Sequence, residues 1–90
     1  MRLDQFLRAS RLVLRRTVAQ ELCEAGAVVV NGAPARSSRA VRVGDEITLA
    51  RRANLLTVRV VTVPTARQTS KQEAVTLYEV VRDERREEET

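Results

Sequence analysis

Histidine and tryptophan are absent from this chain, and cysteine, phenylalanine and tyrosine occur once each. Without histidine the commonest general base and metal ligand is missing. The lone Cys23 supports neither an internal disulfide nor a zinc site, which suits a reducing compartment. With no second thiol, histidine or adjacent lysine to lower its pKa, Cys23 reads as a small buried hydrophobe. Phe6 falls on a packing stripe and Tyr78 near the C-terminal element, so no aromatic platform is left for splayed bases. No apolar run approaches the roughly 20 residues that cross a bilayer, and the opening RLDQFLRAS has no hydrophobic signal-peptide region; no membrane partner is expected. Ninety residues make one small domain, with little room for an enclosed catalytic cavity. Neither paired acids nor a nucleophile with its base can be found. The expectation is a cytoplasmic, non-enzymatic protein without metal or cofactor.

What the chain has is arginine. Fifteen of its sixteen basic residues are arginine, and the net charge is +4. The charge is polarised: residues 1–44 hold eight arginines against Asp4, Glu21 and Glu24, whereas residues 71–90 carry a net negative charge. Arginine presents a planar fork suited to phosphates and base edges. A GC-rich genome would favour arginine codons equally, so composition alone does not decide between the two.

Along the chain, Leu3, Phe6 and Leu7 have the spacing of a short amphipathic helix, with Asp4 in its first turn and Arg8 nearly opposite the stripe. Asp4 is read as a dipole complement or an arginine's ion partner. RLVLRR (11–16) breaks the pattern and reads as a connection whose aliphatic residues dip into the core. Thr17 and Gln20 have capping-box spacing, and the helix that follows places Val18, Ala19, Leu22 and Cys23 on one side. Its N-terminus, beside Arg15 and Arg16, is the expected anion site. Gly26 stops the helix, and Val28 to Val30 lead into Asn31-Gly32, a strong hairpin signal, with Pro34 confining the return strand to an edge. Arg36 to Arg39 form a polar, basic loop; guanidiniums and hydroxyls there suit phosphates, and a plain solvated loop fits as well. Gly44-Asp45 turns the chain into a strand at Ile47 to Leu49, Arg51 to Asn54 make a hairpin loop, and Leu55 to Val63 follow as the best strand. TARQTSKQE reads as a polar connector. Ala74 to Val81 fits both helical spacing and strand composition; a final strand is preferred. The charged run from Arg82 is expected to fray.

These features describe a compact α+β domain that recognises nucleic acid by phosphates and shape, which suits folded RNA better than a DNA operator. Arg2-Leu3-Asp4, Phe6-Leu7, Arg11-Leu12-Val13, Arg15-Arg16-Thr17, Gly26-x-Val28-x-Val30-Asn31-Gly32, Arg36, Ser38 and Val43-Gly44-Asp45 together resemble the S4 RNA-binding domain, the αL motif, over about residues 1 to 50. The opening RLDQFLRASRLVLRRTVAQEL, with Glu73-Ala74 and Tyr78, is similar to the RqcP family, relatives of the small heat-shock S4 proteins. The resemblance implies two or three short N-terminal helices packed on a small, mostly antiparallel sheet, with residues 1–81 as one domain and 82–90 as a charged tail. It also implies a monomeric quality-control factor on obstructed large subunits. Its partners would be 23S rRNA, peptidyl-tRNA and an RqcH-type factor that adds C-terminal alanines. The family's basic RNA-contacting positions carry over onto Arg2, Arg11, Arg15 and Arg16, Arg16 first, with Arg8, Arg36 and Ser38 as secondary members of the surface. Leu14 departs from the pattern, since many relatives are basic there, and the short acidic C-terminus departs from the heat-shock type. A ribosome-assembly or heat-shock type factor recycling large subunits, and a basic protein-interaction domain, remain as alternatives.

Overall fold

A computed structural model describes residues 1–66 and 68–85. The chain runs α1 (Leu3–Ala9), α2 (Arg16–Glu24), β1 (Val28–Val30), β2 (Ala33–Pro34), β3 (Glu46–Ala50), β4 (Asn54–Val60), α3 (Lys71–Ala74) and β5 (Tyr78–Arg85). The five strands form one antiparallel sheet in the order β2-β1-β3-β4-β5. This is the expected α+β architecture, with the third helix near the C-terminus.

Register explains how the sheet acquires an apolar face. Val30 pairs with Ile47 and Ile47 with Val58, while Val28 pairs with Leu49 and Leu49 with Leu56. Because side chains alternate across a strand and opposite residues share a face, these two rows stand on one side of the sheet. All six residues are buried in a core with Leu3, Phe6 and Leu7 of α1 and Ala19 and Cys23 of α2. On the opposite face the Thr48 and Thr57 hydroxyls are hydrogen-bonded at 2.9 Å. Asn31 and Gly32 both take the left-handed conformation, at φ 51° and 85°, which matches the strand twist in a two-residue hairpin. Pro34 sits on the edge strand β2, where its missing N–H breaks no ladder.

Asp45 fixes the turn into β3. Its carboxylate accepts from the Asn31 side chain at 3.0 Å, from Arg39 at 3.0 Å and from the Arg42 backbone N–H at 2.9 Å. Asn31 in turn accepts from the Glu46 N–H at 2.9 Å. The Asn31 and Asp45 of the sequence motif thus join the β1–β2 hairpin to the start of β3.

Several expectations need correction. The second helix begins at Arg16 with Arg15 as its cap residue, so Thr17 lies inside the first turn. No capping box forms, because the Gln20 amide reaches Asp4 instead. Val18 is 39% exposed, leaving Ala19 and Cys23 as the buried face with Leu22 packed partly against the core. Within the connector, Lys71–Ala74 forms one helical turn capped by Ser70, whose hydroxyl accepts from the Glu73 N–H. Ala74 therefore belongs to a helix, and the final strand starts only at Tyr78. That strand continues to Arg85 rather than fraying at Arg82, because the exposed row of β4 backbone groups pairs with it whatever its side chains. Asn54 also donates to Asp83 across the pair at 2.7 Å. Residues 86–90 of the expected tail lie outside the described residues.

Candidate nucleic-acid interface

The start of α1 is tied to the loop that carries Arg36 and Ser38. The Leu3 N–H donates to the Arg39 carbonyl at 2.8 Å and the Asp4 N–H to the Ser37 carbonyl at 3.1 Å. Two of the unpaired donors every helix start presents are thereby satisfied. The same bonds place the 36–38 loop beside Arg2. Arg2, Arg36 and Ser38 share the wall of a cavity of about 540 Å³ with Cys23, Glu24, Gly26, Pro34, Ala35 and Ser37.

Asp4 is the centre of this end of the molecule. It is fully buried, yet its carboxylate has five donors: the Gln5 N–H at 2.9 Å, Arg2 Nε at 3.2 Å and Nη2 at 3.5 Å, Arg16 Nε at 3.1 Å and Gln20 Nε2 at 3.0 Å. Burial pushes its pKa up, but hydrogen bonds from Gln20 and Arg16 and the charges of Arg16 and Arg2 outweigh this and hold it below its ordinary value. The carboxylate thereby fixes Arg2, through Nε and Nη2, and Arg16, through Nε, side by side. Both side chains remain more than two-fifths exposed. Both roles open to Asp4 in the sequence are observed: it stands in the first turn of α1, accepting the Gln5 N–H, and it is the ion partner of Arg2 and Arg16.

At the other end of α1, Ser10 closes the helix with its hydroxyl on the Leu7 carbonyl. Arg11 then takes φ 60°, the left-handed position that usually ends a helix with glycine. Its Nη2 donates to the Thr69 carbonyl at 3.0 Å, and the Thr69 hydroxyl donates to the Ala9 carbonyl. Arg8 and Arg11 line a second cavity, of about 230 Å³, with Leu14, Gln68 and Thr69. Arg15, exposed, opens α2 without any side-chain cap on the helix N-terminus.

The structure therefore gathers the expected residues into linked groups: Arg2 with Arg16 through Asp4, Arg2 with Arg36 and Ser38 across one cavity, and Arg8 with Arg11 across another. Among the described residues no carboxylate lies within ion-pair distance of Arg8, Arg11, Arg15 or Arg36. Arg39, from the same basic loop, is instead committed to Asp45. Sequence reasoning missed Gln68 and Thr69, which reach this surface from a connector far along the chain, and Arg51, which donates to the Leu12 carbonyl at 3.0 Å. No local spacing signals such long-range contacts. Cys23 is buried, and burial followed by the nearby Asp4 charge pushes its thiol pKa up, as expected of an inert side chain. No group of metal-binding side chains occurs among the described residues.

A family model for the S4 domain matches residues 1–47. This chain is an S4-domain protein of the RQC P-site tRNA stabilizing factor family. The curated relative of that name from Halalkalibacterium halodurans is 45% identical over 84 residues, covering 93% of each chain. The one from Bacillus subtilis is 40% identical over 85 residues, covering 94% of this chain and 96% of its own. Among solved structures, the trimeric heat shock protein 15 of Vibrio cholerae superposes with a TM-score of 0.83 at 32% identity over 90% of this chain and 81% of its own. The S4 match takes in α1, α2, the β1–β2 hairpin and the Asp45 turn, so all seven candidate residues lie within it.

Proposed function

We propose that this protein is a non-enzymatic RNA clamp of ribosome-associated quality control. It binds 23S rRNA and peptidyl-tRNA on an obstructed large subunit, in the cytoplasm and as a monomer, and assists an RqcH-type factor in adding C-terminal alanines. The family membership supports the pathway, since its curated members are named for stabilizing a P-site tRNA. The observation that carries the clamp is the arginine surface along α1, the α1–α2 turn and the 36–38 loop, where Asp4 orients two guanidiniums and four more have no carboxylate partner among the described residues. Phosphates would take the place of the missing carboxylates. With Arg2, Arg8, Arg11, Arg15, Arg16 and Arg36 each on one phosphate, the log–log salt slope is about −4 to −5. That is roughly three decades of affinity between 50 and 200 mM salt.

The test is a pull-down of tagged protein from cells, wild type beside Arg16→Ala, assayed for free large subunits carrying peptidyl-tRNA. Enrichment that is lost in the variant supports the clamp, and binding measured in vitro should show the salt slope flattened by about one unit. The fold similarity to heat shock protein 15 favours a second reading, the heat-shock type, which the sequence resemblance links to recycling of large subunits. Enrichment of bare subunits or precursors would favour that reading.

A further inference from the structure

The two cavities on the arginine surface differ in chemistry. The larger contains the Glu24 carboxylate beside its arginines, which opposes an anion. The smaller is lined among the described residues by two arginines, Leu14, Gln68 and Thr69, with no carboxylate.

Three features shape the smaller cavity. Arg11 occupies a left-handed backbone position that glycine adopts without steric penalty. Leu14 is 75% exposed, the highest value among the large hydrophobics, although its neighbour Val13 is drawn into the core. Thr69 is bonded both to the end of α1 and to Arg11, which holds the connector as a wall against the helix turn. At about 230 Å³ the space is smaller than the roughly 300–1,000 Å³ of pockets that enclose drug-sized ligands. It suits one small group presented from outside.

We propose that this cavity receives a single extruded nucleotide of the bound RNA, a deepening that rests on the RNA-binding reading above. The phosphate lies on Arg8 and Arg11. The base lies against Leu14 and a flat guanidinium face, with the Gln68 amide offering a donor and an acceptor to its edge. A bare phosphate would use the guanidiniums and leave the exposed leucine and the amide without a role. Bulged and looped RNA supplies such bases, which proteins receive on aromatic or arginine planes. The described lining of this cavity has no aromatic and supplies arginine and leucine.

The test uses the full chain and three labelled RNA hairpins of one sequence: fully paired, with a single bulged adenine, and with an abasic site at the bulge. Fluorescence anisotropy in about 50 mM salt reads the affinities. The bulged hairpin should bind about tenfold more tightly than the other two. Leu14→Ser and Gln68→Ala, both at exposed positions, should each bring affinity for the bulged hairpin down toward that for the abasic one; Arg8→Ala should weaken all three. Equal affinity of the wild type for the three hairpins, or a preference that survives Leu14→Ser combined with Gln68→Ala, overturns the proposal and leaves RNA binding intact. Failure to bind any hairpin overturns the RNA-binding reading beneath it.

Discussion

Asparagine at position 4 would keep the shape of the buried aspartate and remove its charge. The amide oxygen can still accept from the Gln5 N–H and Arg2 Nε, as Oδ1 does at 2.9 and 3.2 Å. The amide nitrogen, however, replaces the oxygen that accepts from Arg16 Nε and Gln20 Nε2 at 3.1 and 3.0 Å. Gln20 can turn its own amide to offer an oxygen, but Arg16 has only donors. A hydrogen bond to a charged group contributes about 1.5–3 kcal/mol, and the exposure of Arg2 and Arg16 reduces the ionic part. We expect Asp4→Asn to cost about 2 kcal/mol near neutral pH, lowering Tm by roughly 8–16 °C in a domain of this size. The sign of the pH dependence follows from the depressed pKa of Asp4. Its contribution is fully present above the ordinary carboxylate value of 3.8 and is lost as pH falls through the lower folded value. The gap in Tm between wild type and variant should therefore be constant at neutral pH and close below about pH 4. Thermal melts followed by circular dichroism across pH measure it. Equal Tm values near neutral pH, or a gap that stays open in acid, would refute the role given to Asp4.

Two further substitutions probe the turns. Asn31→Ala removes the bonds to Asp45 and to the Glu46 N–H and leaves a β-carbon residue at φ 51°; it should destabilise by about 2 kcal/mol, read by urea denaturation. Arg11→Gly should be more stable than Arg11→Ala by about 1 kcal/mol, the reverse of the order in a helix interior, because only glycine relieves the left-handed backbone. Equal stability of the two in the same denaturation assay would show that position 11 is unstrained.

Local pattern carried the fold where one stretch of chain decides its own conformation. The Leu3, Phe6 and Leu7 stripe, the Asn31-Gly32 hairpin, the edge proline and the alternation of Leu56, Val58 and Val60 all depend on neighbours within a few residues, and each is found in place. The failures lie where distant segments compete for a group. Thr17 and Gln20 have the spacing of a cap, but the Gln20 amide is drawn to donate to the buried Asp4 carboxylate, sixteen residues away. Arg82 to Arg85 have nothing to bury, yet the open edge of β4 needs backbone partners. The candidate site divides in the same way. The arginines of residues 2 to 16 are visible as a cluster in sequence, whereas Gln68 and Thr69 join it only through the fold.

The distribution of ion pairs explains why a net charge of +4 understates the field on one side of the molecule. Arg59 on β4 lies between Glu46 and Glu79, Arg82 beside Glu84, and Arg39 on Asp45. The sheet and its turns therefore neutralise much of their own positive charge. Along α1 and the α1–α2 turn, the described carboxylate available is Asp4, which is shared between Arg2 and Arg16 and is shielded from solvent. One buried negative charge between two half-exposed guanidiniums leaves them a net positive pair, and Arg8, Arg11 and Arg15 add charge along the same helix and turn with no carboxylate partner among the described residues. Oriented surplus of this kind attracts a polyanion over about a Debye length and turns it before contact. Asp4 contributes to that steering even though its charge has the wrong sign. By holding Arg2 through Nε and Nη2 and Arg16 through Nε, it sets both rotamers before a phosphate arrives, so that less side-chain entropy is lost on binding.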